Sequence, residues 1–284
     1  MIARIQSQLF DEVHPNRNEK VIAVLPKSLY LYLIFKIAFI WPLLHDIVTY
    51  TPTQIGSGIR YLAFFPLAIA GSQVQLFLIV FALLLLLSLF IKTNYICGFF
   101  VFWFSLSFTK LIASVGNGSD LVLNIFLFIC IFLSITPRFS SEKKFEYQVL
   151  ISNAALLLGQ IQLSLIYFLS GYDKLTSIAW QTGAAMHSIT NLTFFQNPFL
   201  RLELSQQQSA ALCWLIISFE LGFSILIWFK KFRVPLLALG VLFHLGIVFF
   251  LGLADFGIIM ILCYAVFLPF TRTETLRHEA SLQS

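Results

Sequence analysis

A chain of 284 residues that is 59% hydrophobic and only 11% charged, with a mean hydropathy of +0.88, is not a water-soluble domain, because soluble domains carry about 25% charged residues to cover their surface. Its length accommodates about eight spanning helices of roughly 20 residues with short connections, which leaves no room for a large water-soluble domain. The formal net charge of +5 comes from 18 basic residues scattered in ones, twos and threes between apolar runs, so there is no basic face for nucleic acid.

Residues 1–27 read as a polar lead. Asp11, Glu12, Arg17, Glu19 and Lys20 precede the first apolar run, which argues against a signal peptide. Apolar runs long enough to cross about 30 Å of hydrocarbon, bounded by charge, Pro or Gly, then predict eight helices. They fall at Ser28–Tyr50, Gln73–Ile91, Tyr95–Val115, Leu121–Thr136, Val149–Ser170, Ala210–Phe229, Val234–Gly252 and Phe256–Phe270, followed by a tail over 271–284. Cytoplasmic connections are enriched in Lys and Arg. The lead, alternate loops and tail together hold 13 basic residues, the opposite loops hold four (Arg60, Lys110, Lys174 and Arg201), and Lys36 lies inside the first helix. This partition predicts an even number of crossings with both termini cytoplasmic.

The longest outer connection, about Gly171 to Ser209, mixes Trp180, Phe194, Phe195 and Phe199 with polar residues, as suits a segment lying at headgroup level. Tyr61–Ala70 has the same character. Cys97, Cys130, Cys213 and Cys263 lack the paired spacing of a metal site or a disulfide framework and read as small hydrophobes. Asn117-Gly-Ser and Asn191-Leu-Thr match glycan acceptors on the outer side, a pattern without meaning in most bacteria.

Ionisable groups at membrane depth cost about 2.5–3.5 kcal/mol each on insertion scales, so each needs a partner or a purpose. Three such groups are present: Lys36 in the first helix, Glu220 in the sixth and His244 in the seventh. One reading pairs Lys36 with Glu220 as an ionic staple and has His244 donate to a carbonyl. The other places them around a proton-handling or headgroup-binding cavity. In the fifth helix Asn153, Gln160, Ser164, Tyr167, Gly171 and Lys174 recur on one face. Such a stripe either lines an internal cavity or acts as polar glue between helices. Asp120, Lys174 and Asp255 fall at helix ends on the outer face, which favours an outward-opening site, although each aspartate also suits a helix N-terminus.

The run Tyr167-Phe-Leu-Ser-Gly171-Tyr-Asp-Lys174-Leu-Thr-Ser-Ile-Ala-Trp180-Gln-Thr-Gly183 resembles the membrane part of vitamin K-dependent gamma-carboxylases and their bacterial relatives, the HTTM (horizontally transferred transmembrane) proteins. Asn117-Gly-Ser-Asp120, Glu220, Phe243-His244, Phe256 and Phe267-Leu-Pro269 extend the resemblance over roughly residues 28–270. It implies that Lys174 matches the base that deprotonates a reduced naphthoquinone at the outer membrane face, with His244 or Glu220 relaying or stabilising charge. Tyr167, Trp180 and Asp120 become candidates for holding the cofactor. Two departures stand out. The carboxylases have a histidine where this chain has Asp120, and they continue into a large lumenal part, whereas here about fifteen residues follow the eighth helix.

The expectation is therefore an all-α integral membrane bundle, with a lead over 1–27, an HTTM-like membrane domain over 28–270 and a tail over 271–284. It sits in the cell membrane, the bacterial inner membrane above all. Two functions stay open. One is a membrane factor that binds a lipid-soluble ligand in an outward-facing cavity or assists maturation or export of a secreted peptide, alone or with a partner membrane protein. The other is an enzyme using Lys174 as base on a reduced quinone. No metal and no nucleic acid enter either reading.

Overall fold

A computed structural model describes residues 15–50, 58–71, 73–135, 142–192 and 202–268. Most of the expected polar lead, the tail over 271–284, Arg138, Phe194, Phe195, Phe199, Arg201 and Pro269 lie outside the described residues. Every regular element among the described residues is helical. Helix α1 (Pro15–Ile40) passes through a 3-10 turn at Trp41–Leu43 into α2 (Leu44–Tyr50). Two short helices follow, α3 (Ile59–Ala63) and α4 (Phe65–Ala70). Then come α5 (Val74–Phe90), α6 (Tyr95–Leu111), α7 (Gly118–Leu133) and the long α8 (Glu142–Thr176). After α9 (Ile178–Gln181) and α10 (Ala184–Asn191), the chain completes α11 (Gln206–Leu226), α12 (Lys230–Leu251) and α13 (Ala254–Cys263), which tightens into a 3-10 turn at Tyr264–Phe267.

All eight expected apolar runs are helical, but they fall into two length classes. Val21–Thr49, Tyr147–Thr176, Gln206–Leu226 and Lys230–Leu251 are long and apolar enough to cross a membrane. Val74–Phe90, Tyr95–Leu111, Gly118–Leu133 and Ala254–Phe267 are shorter, reaching about 25 Å or less at 1.5 Å per residue. The first helix starts well before Ser28, because Val21, Ile22 and Leu25 pack into the core and extend the apolar face of α1 backwards.

Helix starts follow local chemistry. The Asn94 side chain accepts a hydrogen bond from the Cys97 N–H and opens α6. Asn117 with Asp120, and Ser205 with Gln208, form capping boxes that satisfy the first free N–H groups of α7 and α11. Asp120 is thus the third helical residue of its cap, and Asp255 lies in the first turn of α13 rather than capping it. Gly252 ends α12 in the left-handed region, at φ 65°, where a Cβ would be strained.

Helix α8 packs on α7 and α11, α7 packs on α6, and α1 lies against α5 and α7. Helix α12 rests chiefly on α13, which in turn reaches α7 and α1. The core where these helices converge is built from Leu29, Leu33, Phe81, Phe108, Phe126, Leu163, Phe223 and Phe267. Helix α12 is the least enclosed of the four long helices, with 17% of its apolar stretch buried. It borders the space between α11, α12 and α8.

Candidate functional site

That space is a cavity of about 580 Å³, lined by residues of α8, α9, α10, α11, α12 and α13. Tyr167, Lys174, Glu220 and His244 all face it, joined by Ser170 and Trp180. The rest of the lining is apolar, including Phe219, Leu242, Phe243, Phe250, Phe256 and Met260. A few polar groups converging in an apolar space of this size is the ordinary make-up of a small-molecule site.

The polar groups form two sets. In the first, Lys174 Nζ donates to Glu220 Oε1 at 3.0 Å, Glu220 Oε2 at 2.9 Å and Ser170 Oγ at 2.5 Å. The Trp180 ring sits over the same ammonium at 5.1 Å from its centroid. Close approach of α8 and α11 makes this possible. A Cβ on Gly171 would lie 3.0 Å from the Leu221 side chain and 3.1 Å from Glu220 Cβ, so the absent side chain lets Glu220 reach across to Lys174. Helices α9 and α10 lie over this end. They are pinned to α11 by Trp214 Nε1 donating to Gln181 O and Gln206 Nε2 donating to Thr182 O. Gly183 turns between them at φ 81°, with Ala210 packed against the point where a Cβ would project.

In the second set, the Tyr167 hydroxyl lies 2.6 Å from His244 Nε2 and is also hydrogen-bonded to the Tyr264 hydroxyl. His244 is 1% exposed, and its Nδ1 has no partner among the described residues. The hydroxyl of Tyr264 is accommodated because residue 240 is glycine: a Cβ there would collide with it. Tyr264 stood outside the sequence reading, since a tyrosine late in an apolar run gives no sign of its depth or its neighbours.

Other expected residues are placed elsewhere. Lys36 pairs with Asp120 Oδ1 at 2.5 Å and Asp255 Oδ2 at 3.0 Å, so the Lys36–Glu220 staple is replaced by a Lys36 cluster joining α1, α7 and α13. Asp120, expected to help hold a cofactor, is not among the cavity residues. It accepts from Lys36 and from its own cap at the Asn117 N–H. His244 meets a tyrosine hydroxyl where a carbonyl was expected. The α8 stripe divides: Tyr167 and Lys174 line the cavity, while Gln160 donates to Val266 O at 2.7 Å and ties α8 to the end of α13. Both readings of that stripe hold, for different parts of it.

Cys130, Cys213 and Cys263 are buried, and Cys97 is half-buried against Ser88 Oγ; all four are free thiols. Compared with family models, curated proteins and solved structures, the chain matches none of them.

Proposed function

We propose that this protein is a multi-pass membrane protein of the HTTM and gamma-carboxylase-like type that binds a lipid-soluble amphiphile in the cavity between α8, α11 and α12. In this reading the eight apolar helices all cross, the shorter four with local thinning or flanking residues taking up the shortfall. Both termini then lie in the cytoplasm of a bacterial inner membrane, and the end of the cavity at Lys174 opens outward. The partition of basic residues between alternate loops supports that orientation.

The single observation carrying the binding reading is the polarity of the cavity. An ion pair and a serine stand at one end of a largely apolar space bordered by α12. Lys174 is fully engaged. Its ammonium meets both carboxylate oxygens of Glu220 and the Ser170 hydroxyl, so it serves as a neutralised anchor. A role in maturing or exporting a secreted peptide, alone or beside a partner membrane protein, follows if the bound amphiphile is the peptide's own apolar segment.

The second reading is catalytic, and the convergence of Lys174, Glu220 and His244 on one cavity favours it. Lys174 would act as base on a reduced naphthoquinone once Glu220 released it, with Trp180 beside the ring. The substitution Lys174→Arg separates the two readings. Arginine keeps the ion pair and cannot act as a base at neutral pH. Binding of a lipid-soluble ligand to the purified variant at near wild-type affinity, with cellular function retained, is the expected result. Retained binding with abolished function would favour the base.

A further inference from the structure

We infer that the cavity opens sideways into the hydrocarbon of the bilayer, between α11 and α12, and that its ligand is a membrane lipid whose chain runs out through this opening while its polar group stays at Lys174 and Glu220. This rests on the binding reading above and specifies the ligand's class and its route. The opening is marked by residues that border the space and face outward at once. On α11 the cavity lining runs round the helix from Glu220 through Phe219 to Leu215. Leu215 is 66% exposed and falls on the same exposed stripe as Ala211, Ser218 and Ile225. On α12 the lining runs from His244 through Phe243 to Leu242, and Leu242, also 66% exposed, shares its stripe with Pro235, Ala238 and Phe249. Leu239, one turn from Leu242, lines the space and is exposed as well. An enclosed cavity has its lining on inward faces alone; here lining and outer surface meet on both helices, which is the mark of a rim.

The rim is apolar and deep. Leu215 lies near the middle of the apolar span Gln206–Leu226, and Leu239 and Leu242 lie near the middle of Lys230–Leu251, so in a membrane the opening faces acyl chains rather than headgroups. The other sides are covered. Tyr167, His244 and Met260, on the walls made by α8, α12 and α13, are buried. At the polar end Trp180 of α9 and Met186 and Ile189 of α10 line the space, and the hydrogen bonds that Gln181 and Thr182 accept from α11 hold this cover in place. A molecule arriving from water meets the cover, whereas one dissolved in the bilayer meets an apolar slot. Lipid tails are as apolar as leucine, so a chain lying partly inside and partly outside loses nothing by leaving. The cavity then holds the polar group and the first stretch of chain and sets no upper limit on chain length.

The test uses purified full-length protein in lipid nanodiscs and photoreactive hexadecyl probes, each made as an alcohol and as a carboxylic acid so that an uncharged and an anionic polar group are both offered. One probe carries a diazirine beside the polar group and a plain chain end. Another carries the same diazirine and a pyrenyl group on the chain end, too bulky to share an enclosed cavity with the chain. The last carries its diazirine in the middle of the chain. Mass spectrometry locates the labelled residues. The first two probes are expected to label residues 170–180 or α11 around Glu220 saturably, with affinities within about threefold of each other, because the pyrenyl end stays among lipid tails. The mid-chain probe should label Leu215, Leu239 or Leu242. Binding of the pyrenyl probe about tenfold or more weaker than that of the plain one, as forcing an aromatic group into a closed core demands, would overturn the inference while leaving the binding reading intact. Mid-chain labelling confined to the inner wall at Ile166 and Met260 would do the same. Absence of saturable labelling at the polar end by every probe would overturn the binding reading itself.

Discussion

Lys36 and Lys174 sit in the same kind of helix, each paired with carboxylates from other helices, and they end in different surroundings. The Lys36 side chain is 4% exposed and its partner Asp120 is 3% exposed; nothing but protein surrounds the pair, apart from the outer edge of Asp255. Lys174 is 18% exposed, its partner Glu220 borders a cavity, and a tryptophan ring covers the ammonium. An ion pair enclosed on all sides holds helices together. The same pair on the wall of an empty space has capacity left for something else. Pairing alone does not distinguish structure from function in this bundle, and the space beside the pair does.

The largest expected effect breaks the enclosed pair. Lys36→Met leaves Asp120 buried without its cation and should cost about 3–5 kcal/mol of stability, as removal of one partner from a buried pair does. Unfolding of the purified protein in a denaturing detergent series measures it. The double variant Lys36→Met with Asp120→Asn should recover at least half of that loss, because Asp255 has access to the surface. If the double variant were no better than the single one, the cluster would not be a simple staple.

Next in size is Gly240→Ala. The added methyl must displace the Tyr264 hydroxyl, and overpacking of this kind costs about 1–3 kcal/mol. The same shift separates Tyr264 from Tyr167, so the hydrogen-bonded pair beside His244 is lost together with stability. Thermal unfolding of the purified variant measures the loss; unchanged stability would mean that the Tyr264 hydroxyl moves aside freely.

Smaller still is Glu220→Gln. The Lys174 end borders an open space and Ser170 stays in place, so the expected destabilisation is about 1–2 kcal/mol, well below that of Lys36→Met. Ligand affinity should fall several-fold, since the polar end of the cavity then carries the lysine's uncompensated charge. Equal stability losses for Lys36→Met and Glu220→Gln would erase the contrast between the two lysines.

The apolar helices are legible from the sequence because each is an uninterrupted apolar run, and run length is a linear property. Their lengths were less so: α1 reaches back to Pro15 because Val21 and Leu25 bury against neighbours that no local pattern reveals. The cavity was partly legible, since polar groups deep in apolar helices must face inward, and Tyr167, Lys174, Glu220 and His244 do meet there. What spacing along the chain could not supply was which buried charge meets which. Lys36 reaches Asp120, 84 positions away, and not Glu220. The contact of Tyr264 with Tyr167 beside His244 depends on how α12 and α13 pack, a property of helix approach set by Gly240 and invisible to periodicity.

The central claim is that the space beside Lys174 and Glu220 holds an amphiphile. Gly246 lines it, and a Cβ there would meet no atom within 4 Å, so a larger side chain can be started from this position without a clash at its base, and Gly246→Trp is the variant chosen to occupy the space. Mass spectrometry of lipids released from wild-type and variant protein, purified side by side in one detergent, tests the claim directly. The account predicts one class of amphiphile near equimolar with the wild type and largely absent from the variant, with thermal unfolding of both confirming that the variant is folded. The same amphiphile retained at equal amount in Gly246→Trp would contradict it.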